Sequence, residues 1–239
     1  MIDKIIVDAS SLSLSESKEL LSQHGALFIP RLISPNLGDA VSYEISNQLD
    51  EPKAEFGKVD KPKLRHDLPV DIVGVFEEAF LEALFGIGSL LAHLLGHEAE
   101  LVEFSSMTSM PCAPRQDVHS DTRHIEGSAE MYSVFIAAGD IHESMGPLNF
   151  WPQTHTENWA EYLDMDHRCQ MVAKAGDAVI MNSQLLHCGG ANTSFRRRTV
   201  LYFSFQGKGN PPVGSTYSLV DCLKGKTLKD FWKSDEKAA

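Results

Sequence analysis

The chain has 239 residues, with 21 Lys and Arg against 33 Asp and Glu and a formal net charge of −12. That length suits one domain with a substantial core, and the negative balance repels phosphate backbones and anionic lipid surfaces within a Debye length, which argues against nucleic-acid and membrane partners. Four cysteines, Cys112, Cys169, Cys188 and Cys222, stand far apart with no CxxC pair, and the opening MIDKIIVDAS lacks the basic-then-apolar layout of a secretion signal, so a reduced, cytoplasmic setting is expected.

Ser13 and Glu16 have capping-box spacing, leucines follow, and Gly25 supplies a stop, which predicts a first helix over 14–24. Residues 26–29 read as a short strand. Ser34 and Pro35 then open a second helix, whose Leu37, Val41, Ile45 and Leu49 recur at four-residue spacing. From Glu51 to Asp71 the chain is charged, carries Pro52, Pro62 and Pro69, and shows no period. It is expected to be a surface excursion of the kind that borders active sites. A third helix places Phe76, Phe80, Leu84, Ile87, Leu91 and Leu95 on one stripe, and its interruption by Glu77, Glu78, Glu82 and His93 marks a core helix rather than a bilayer span.

Beyond residue 98 the texture turns to short Val-, Ile-, Phe-, Tyr- and Met-rich runs between turn residues. Strands are predicted at 99–109, 115–123, 129–138, 147–151, 169–174, 177–182, 184–188 and 196–206, with a short helix near 227–233. The expected architecture is a mainly β single domain, a jelly roll over 98–206. A helical preface (1–97) packs on one sheet, and a C-terminal extension covers 207–239.

The stretch VHSDTRH at 118–124 concentrates metal-binding side chains. If it is a strand, His119 and Asp121 project to one face and can chelate one ion, while His124 has the wrong parity. One more imidazole completes the two-histidine, one-carboxylate face used by non-haem iron. The candidates are His142, His155, His167 and His187, and His187 is favoured because it lies before a Gly189–Gly190 turn that leads into a long β run. Cys188, its neighbour, should point away. On that run Arg198 shares parity with Val200, Tyr202 and Ser204, and an arginine deep in a barrel calls for an anion such as a dicarboxylate. Arg196 and Arg197 read as surface residues.

Together HSD at 119–121, MGPLNFWPQTH at 145–155, Gly176–Asp177 before a strand, and His187 followed eleven residues on by Arg198 resemble the phytanoyl-CoA dioxygenase family of Fe(II)- and 2-oxoglutarate-dependent oxygenases. The likeness covers roughly residues 100–206. It implies a double-stranded β-helix of the cupin-like type. It also implies Fe(II) on His119, Asp121 and His187, the distal carboxylate of 2-oxoglutarate on Arg198, and Gln116 beside that cosubstrate. The implied chemistry consumes dioxygen, releases succinate and carbon dioxide, is open to stimulation by ascorbate, and usually hydroxylates a small molecule. Asp121 stands where halogenating members carry a small residue, which argues against halogenation, and Ser204 stands where nucleic-acid demethylases place a second arginine. Leu148 departs from a threonine that contacts 2-oxoglutarate in many members, and Gln153 and Thr154 depart from the usual Gly and Ser, leaving His155 to order a loop.

For the substrate, Arg123 shares the parity of His119 and Asp121 and is a candidate contact to an anionic group. Arg65, His66 and Asp67 in the long loop are candidate substrate or lid residues, although a charged loop is ordinarily just solvated, and Trp151 and Trp159 could wall an apolar pocket, with core packing the expected role of Trp151. Two other classes stay open: a cupin-like metal- or small-molecule-binding barrel without oxidative turnover, and a zinc hydrolase on the same ligands.

Overall fold

A computed structural model describes residues 13–50, 64–123, 125–156 and 168–232. Three helices precede most of the sheet. The first, α1 (Leu14–His24), starts where the Ser13 hydroxyl accepts the Glu16 N–H, and it ends at Gly25, whose φ of 76° allows its N–H to close on Leu21 O. After β1 (Ala26–Ile29) come α2 (Pro35–Asp50), β2 (Arg65–Pro69) and α3 (Val75–Leu95). By length and composition α3 could cross a bilayer, but its stripe of Phe76, Phe80, Leu84, Ile87 and Leu91 lies in the core against the sheet.

The remaining strands are β3 (Glu100–Ser109), β4 (Met131–Ala137), β5 (Leu148–Phe150), β6 (Cys169–Gln170), β7 (Ala178–Asn182), β8 (His187–Gly189) and β9 (Arg198–Gln206), followed by a short α4 (Leu228–Phe231). They form a six-stranded sheet in the order β1-β7-β4-β9-β3-β2 and a three-stranded sheet in the order β6-β5-β8, all neighbours antiparallel. This is the expected jelly roll, with the helices on one sheet.

The period-two alternation of the strands separates two environments. On β9, Leu201, Phe203 and Phe205 pack into the helical core, where Phe80 meets Phe104 and Phe203 edge-to-face at centroid distances of 5.1 and 5.0 Å. The opposite face of β9 carries Arg198, Val200 and Tyr202 into the space between the sheets. A second core, including Ala137, Phe150, Met171, Val179, Met181 and Val200, closes that space at one end.

Three expectations need correction. The segment Glu51–Asp71 is not all excursion: residues 51–63 lie outside the described residues, but Arg65–Pro69 is an edge strand paired with β3 from Arg65↔Ser109 to Pro69↔Ser105. No apolar period announced it because the face opposite Leu68 carries Arg65, half-buried against Ser109, and Asp67, exposed at the mouth of a cavity, rather than core residues. The strand expected at 115–123 is reduced to one bridge, His119↔His187. Gln116 N–H bonds Gly189 O while His119 pairs with His187, so three steps along one segment oppose two along the other and no ladder propagates. Finally, β8 does not return beside itself through the Gly189–Gly190 turn. The chain crosses to the other sheet, so β8 and β9 are partners in different layers.

Candidate active site

His119, Asp121 and His187 come together although their segment is not a regular strand. One donor atom from each lies within 4.8 Å of the others. His187 Nε2 stands 3.5 Å and His119 Nε2 3.9 Å from Asp121 Oδ1. Both imidazoles are oriented in the same local way: Nδ1 of His119 bonds Asp117 O at 2.8 Å, and Nδ1 of His187 bonds Leu185 O at 2.9 Å. A carbonyl accepts only, so each Nδ1 carries the proton and each Nε2 lone pair is left for a metal. Two imidazoles and a carboxylate suit a divalent transition-metal ion and occupy one face of it.

The cluster opens onto a cavity of about 230 Å³ between the sheets, also lined by Arg198 and Gln116. Arg198 is buried, 4% exposed, and its Nη2 donates to Ser109 Oγ at 2.8 Å. Its Nε and Nη1 have no partner among the described residues. Burial, and then the neighbouring Arg65 cation, pull its guanidinium down to about 10. An arginine held this way is a receptor for an anion.

Arg65 donates to the same Ser109 hydroxyl and, through Nη2, to Pro114 O at 2.5 Å and Gly190 O at 3.0 Å. Gly189 makes this gathering possible: a Cβ there would lie 2.5 Å from Gln116 Oε1, 2.9 Å from Arg65 Nη1 and 3.3 Å from Arg198 Nη2. Gln116 is fixed in turn by the Gly189 N–H, which donates to its Oε1 at 2.7 Å. Cys188 points away from the cluster, with Sγ 3.4 Å from Arg115 Nε.

Other candidates fall elsewhere. Arg123 is exposed and outside the cavity lining, its N–H bound to Val213 O, because the strand that would have carried it inward does not form. His155 reaches Ser22 O at 3.1 Å and ties its loop to α1, and His142 is exposed before Glu143. Arg197 pairs with Asp50 at the surface. Trp151 is buried in the core, whereas His124, Trp159 and His167 lie outside the described residues.

Several site residues had no clear signal in the sequence. Arg65 and Asp67 come from the edge strand, Glu103 from β3, and Thr216 and Ser218 from the C-terminal extension. Tyr202 was flagged by its parity with Arg198, and Arg65 and Asp67 only by their place in the long loop, not as residues of a strand. Polar residues on a strand face ordinarily mean solvent, and only the tertiary structure gathers buried Glu103 and Tyr202 with exposed Asp67 and Thr216 around one cavity.

The model of the family described as Phytanoyl-CoA dioxygenase (PhyH) matches residues 21–200, a span holding every residue of the metal cluster together with Gln116 and Arg198. No curated protein matches the chain. Among solved structures, the non-heme alpha ketoglutarate dependent carbocyclase SnoK from nogalamycin biosynthesis superposes with a TM-score of 0.65 at 17% identity, covering 90% of this chain and 96% of that one. EvdO2 from Micromonospora carbonacea var. aurantiaca, complexed with 2-oxoglutarate, gives 0.61 at 15%, covering 82% and 91%. HygX from Streptomyces hygroscopicus, with nickel and 2-oxoglutarate bound, gives 0.63 at 12%, covering 92% and 99%.

Proposed function

Because the chain belongs to the phytanoyl-CoA dioxygenase family, we propose that it is an Fe(II)- and 2-oxoglutarate-dependent oxygenase that hydroxylates a small-molecule metabolite and releases succinate and carbon dioxide. The observation that carries this reading is the pairing, in one cavity, of a two-histidine, one-carboxylate cluster with a buried arginine whose Nε and Nη1 are unpartnered. A metal-storage barrel or a zinc hydrolase has no use for that arginine.

His119, Asp121 and His187 would hold iron(II), and Arg198 would take the distal carboxylate of 2-oxoglutarate in a bidentate fork. The bound pair, with dioxygen, supplies oxidising power that no side chain here has. The protein's own part is placement. Ser109 holds the Arg198 guanidinium on one side and leaves its unpartnered nitrogens for the incoming anion. Gln116, locked to Gly189, walls the cosubstrate end, while Phe135, Ile141, Leu148, Met171 and Val200 keep the reacting region apolar. Leu148 offers no hydrogen bond, so Arg198 and Gln116 carry more of the recognition. Asp121 keeps a carboxylate at the position a halide would need, which supports hydroxylation over halogenation.

The test is turnover without added substrate. Protein given iron(II), 2-oxoglutarate, ascorbate and air should form succinate slowly, and zinc should suppress it. Bound 2-oxoglutarate with no succinate under any of these conditions would favour the binding barrel.

A further inference from the structure

The cavity is strongly polarised along β3. Ser109, which anchors both Arg198 and Arg65, lies at one end of the strand, and Glu103 lies six residues away, about 20 Å along an extended chain. Around Glu103 the lining is anionic. Its carboxylate accepts from Ser204 Oγ and Thr216 Oγ1, both at 2.5 Å. The neighbouring Asp67 accepts from Ser105 Oγ at 2.5 Å, Tyr202 Oη at 2.9 Å and Ser218 Oγ at 3.2 Å. Hydroxyls orient these carboxylates without neutralising them. Among the described residues neither has an ion-pair partner.

Glu103 is buried, 8% exposed. Burial pushes its carboxyl up, the two hydroxyls pull it down, and the charges of Asp121 and Asp67 push it up again. This buried, unpaired carboxylate faces the charges of Asp121 and of Asp67, the latter exposed at the cavity mouth, which costs free energy that a cation would offset. The wall beside it is aromatic: Phe135 and Tyr202 stack at a centroid distance of 5.8 Å and an interplanar angle of 22°, and both line the cavity. Aromatic faces next to carboxylates form a receptor for an ammonium group. Buried Arg198 at the far end of the same cavity, its Nε and Nη1 without partners among the described residues, indicates independently that this space is built for ligands.

Resting on the reading of the site as an oxygenase centre, we propose that its primary substrate is a small cationic molecule, an alkylamine or quaternary ammonium compound, whose charge sits between Glu103 and Asp67 against Tyr202 and Phe135. An acyl-coenzyme A substrate would bring phosphates toward a wall of carboxylates, the wrong sign of charge. In this arrangement the arginine end takes the dianionic cosubstrate and the carboxylate end the cation, so each ligand is repelled from the other's place.

The experiment is equilibrium dialysis of the full chain at pH 8, loaded anaerobically with iron(II) and 2-oxoglutarate. The probes are choline, its uncharged isostere 3,3-dimethylbutan-1-ol, and butanoyl-coenzyme A. Choline should bind at least about tenfold more tightly than the isostere, and butanoyl-coenzyme A should not outcompete it. Glu103→Gln and Asp67→Asn should each bring the choline-to-isostere ratio below about threefold. Equal binding of choline and the isostere by the wild-type chain overturns the proposal, as does tighter binding of butanoyl-coenzyme A, and neither outcome depends on how the variants fold. The charge-transfer band of the iron chelate is read in the same sample. Its presence without a choline preference rejects the cationic substrate alone, whereas a choline preference without the band rejects the oxygenase reading and leaves the cation site standing.

Discussion

His119 and His187 face each other as a single antiparallel bridge, with His119 N–H bound to His187 O at 3.0 Å and His187 N–H to His119 O at 2.8 Å. Their rings lie 4.5 Å apart. Two residues 68 positions apart in the chain are thus paired by backbone before any metal is considered, and Asp121 Oδ1 already lies 3.5 Å from His187 Nε2 and 3.9 Å from His119 Nε2. The site is preorganised.

Alanine at His119, Asp121 or His187 should therefore abolish stoichiometric iron binding. His142→Ala and His155→Ala should retain it, because neither reaches the cluster. Anaerobic titration with iron(II), followed by metal analysis of the desalted protein, decides the matter. Iron retained by His187→Ala would remove it as third ligand.

Arg198→Met should raise the dissociation constant for 2-oxoglutarate by roughly thirtyfold or more, since stranding a buried carboxylate costs on the order of 2–5 kcal/mol and each 1.4 kcal/mol is about tenfold. Arg197→Met should change it by less than about threefold, because that side chain pairs with Asp50 at the surface. Arg198→Lys should fall between, one ammonium replacing two parallel donors. The readout is the charge-transfer band on titration. Equal affinity in wild type and Arg198→Met would remove the cosubstrate assignment.

The same substitution should make the ligand-free protein more stable, by roughly 1–4 kcal/mol, because it removes a buried cation that no carboxylate meets. The folded guanidinium is pulled down from its ordinary value to about 10, so above pH 10 the folded state binds fewer protons than the unfolded chain. Its cost is fully present below pH 10 and fades as pH rises above it toward the ordinary value of the unfolded chain. Denaturant melts of wild type and Arg198→Met at pH 7.5 test the sign. A large loss of stability would show that the arginine is structurally paired.

Gly189→Ala should weaken 2-oxoglutarate binding by about tenfold or more with the fold retained, because the added methyl meets Gln116, Arg65 and Arg198 at side-chain ends rather than backbone. Circular dichroism beside the titration separates the two effects. Unchanged affinity would mean that the Gln116 and arginine positions are not needed for the cosubstrate.

The helices and the central strands were legible in the chain because their signals are local. Capping at Ser13 and proline at Pro35 mark where helices start, and the stripe of α3 and the alternation of β9 report which face of an element is apolar. His119, Asp121, His187 and Arg198 were legible as candidates too, since chemistry restricts which side chains can bind a metal or an oxoacid and spacing then selects among them, and the structure brings the four to one cavity. Tertiary structure alone decided how they meet. The segment bearing His119 is held by irregular hydrogen bonds to β8, not by strand parity, and this turns Arg123 outward. It also decided the far end of the cavity. Asp67, Glu103, Thr216 and Ser218 come from an edge strand, a central strand and the C-terminal extension. In sequence each reads as an ordinary polar residue, Asp67 being noted only for its place in a charged loop, because hydrophobic periodicity marks a face buried in a core and carries no mark for polar residues, buried or exposed, gathered around a cavity.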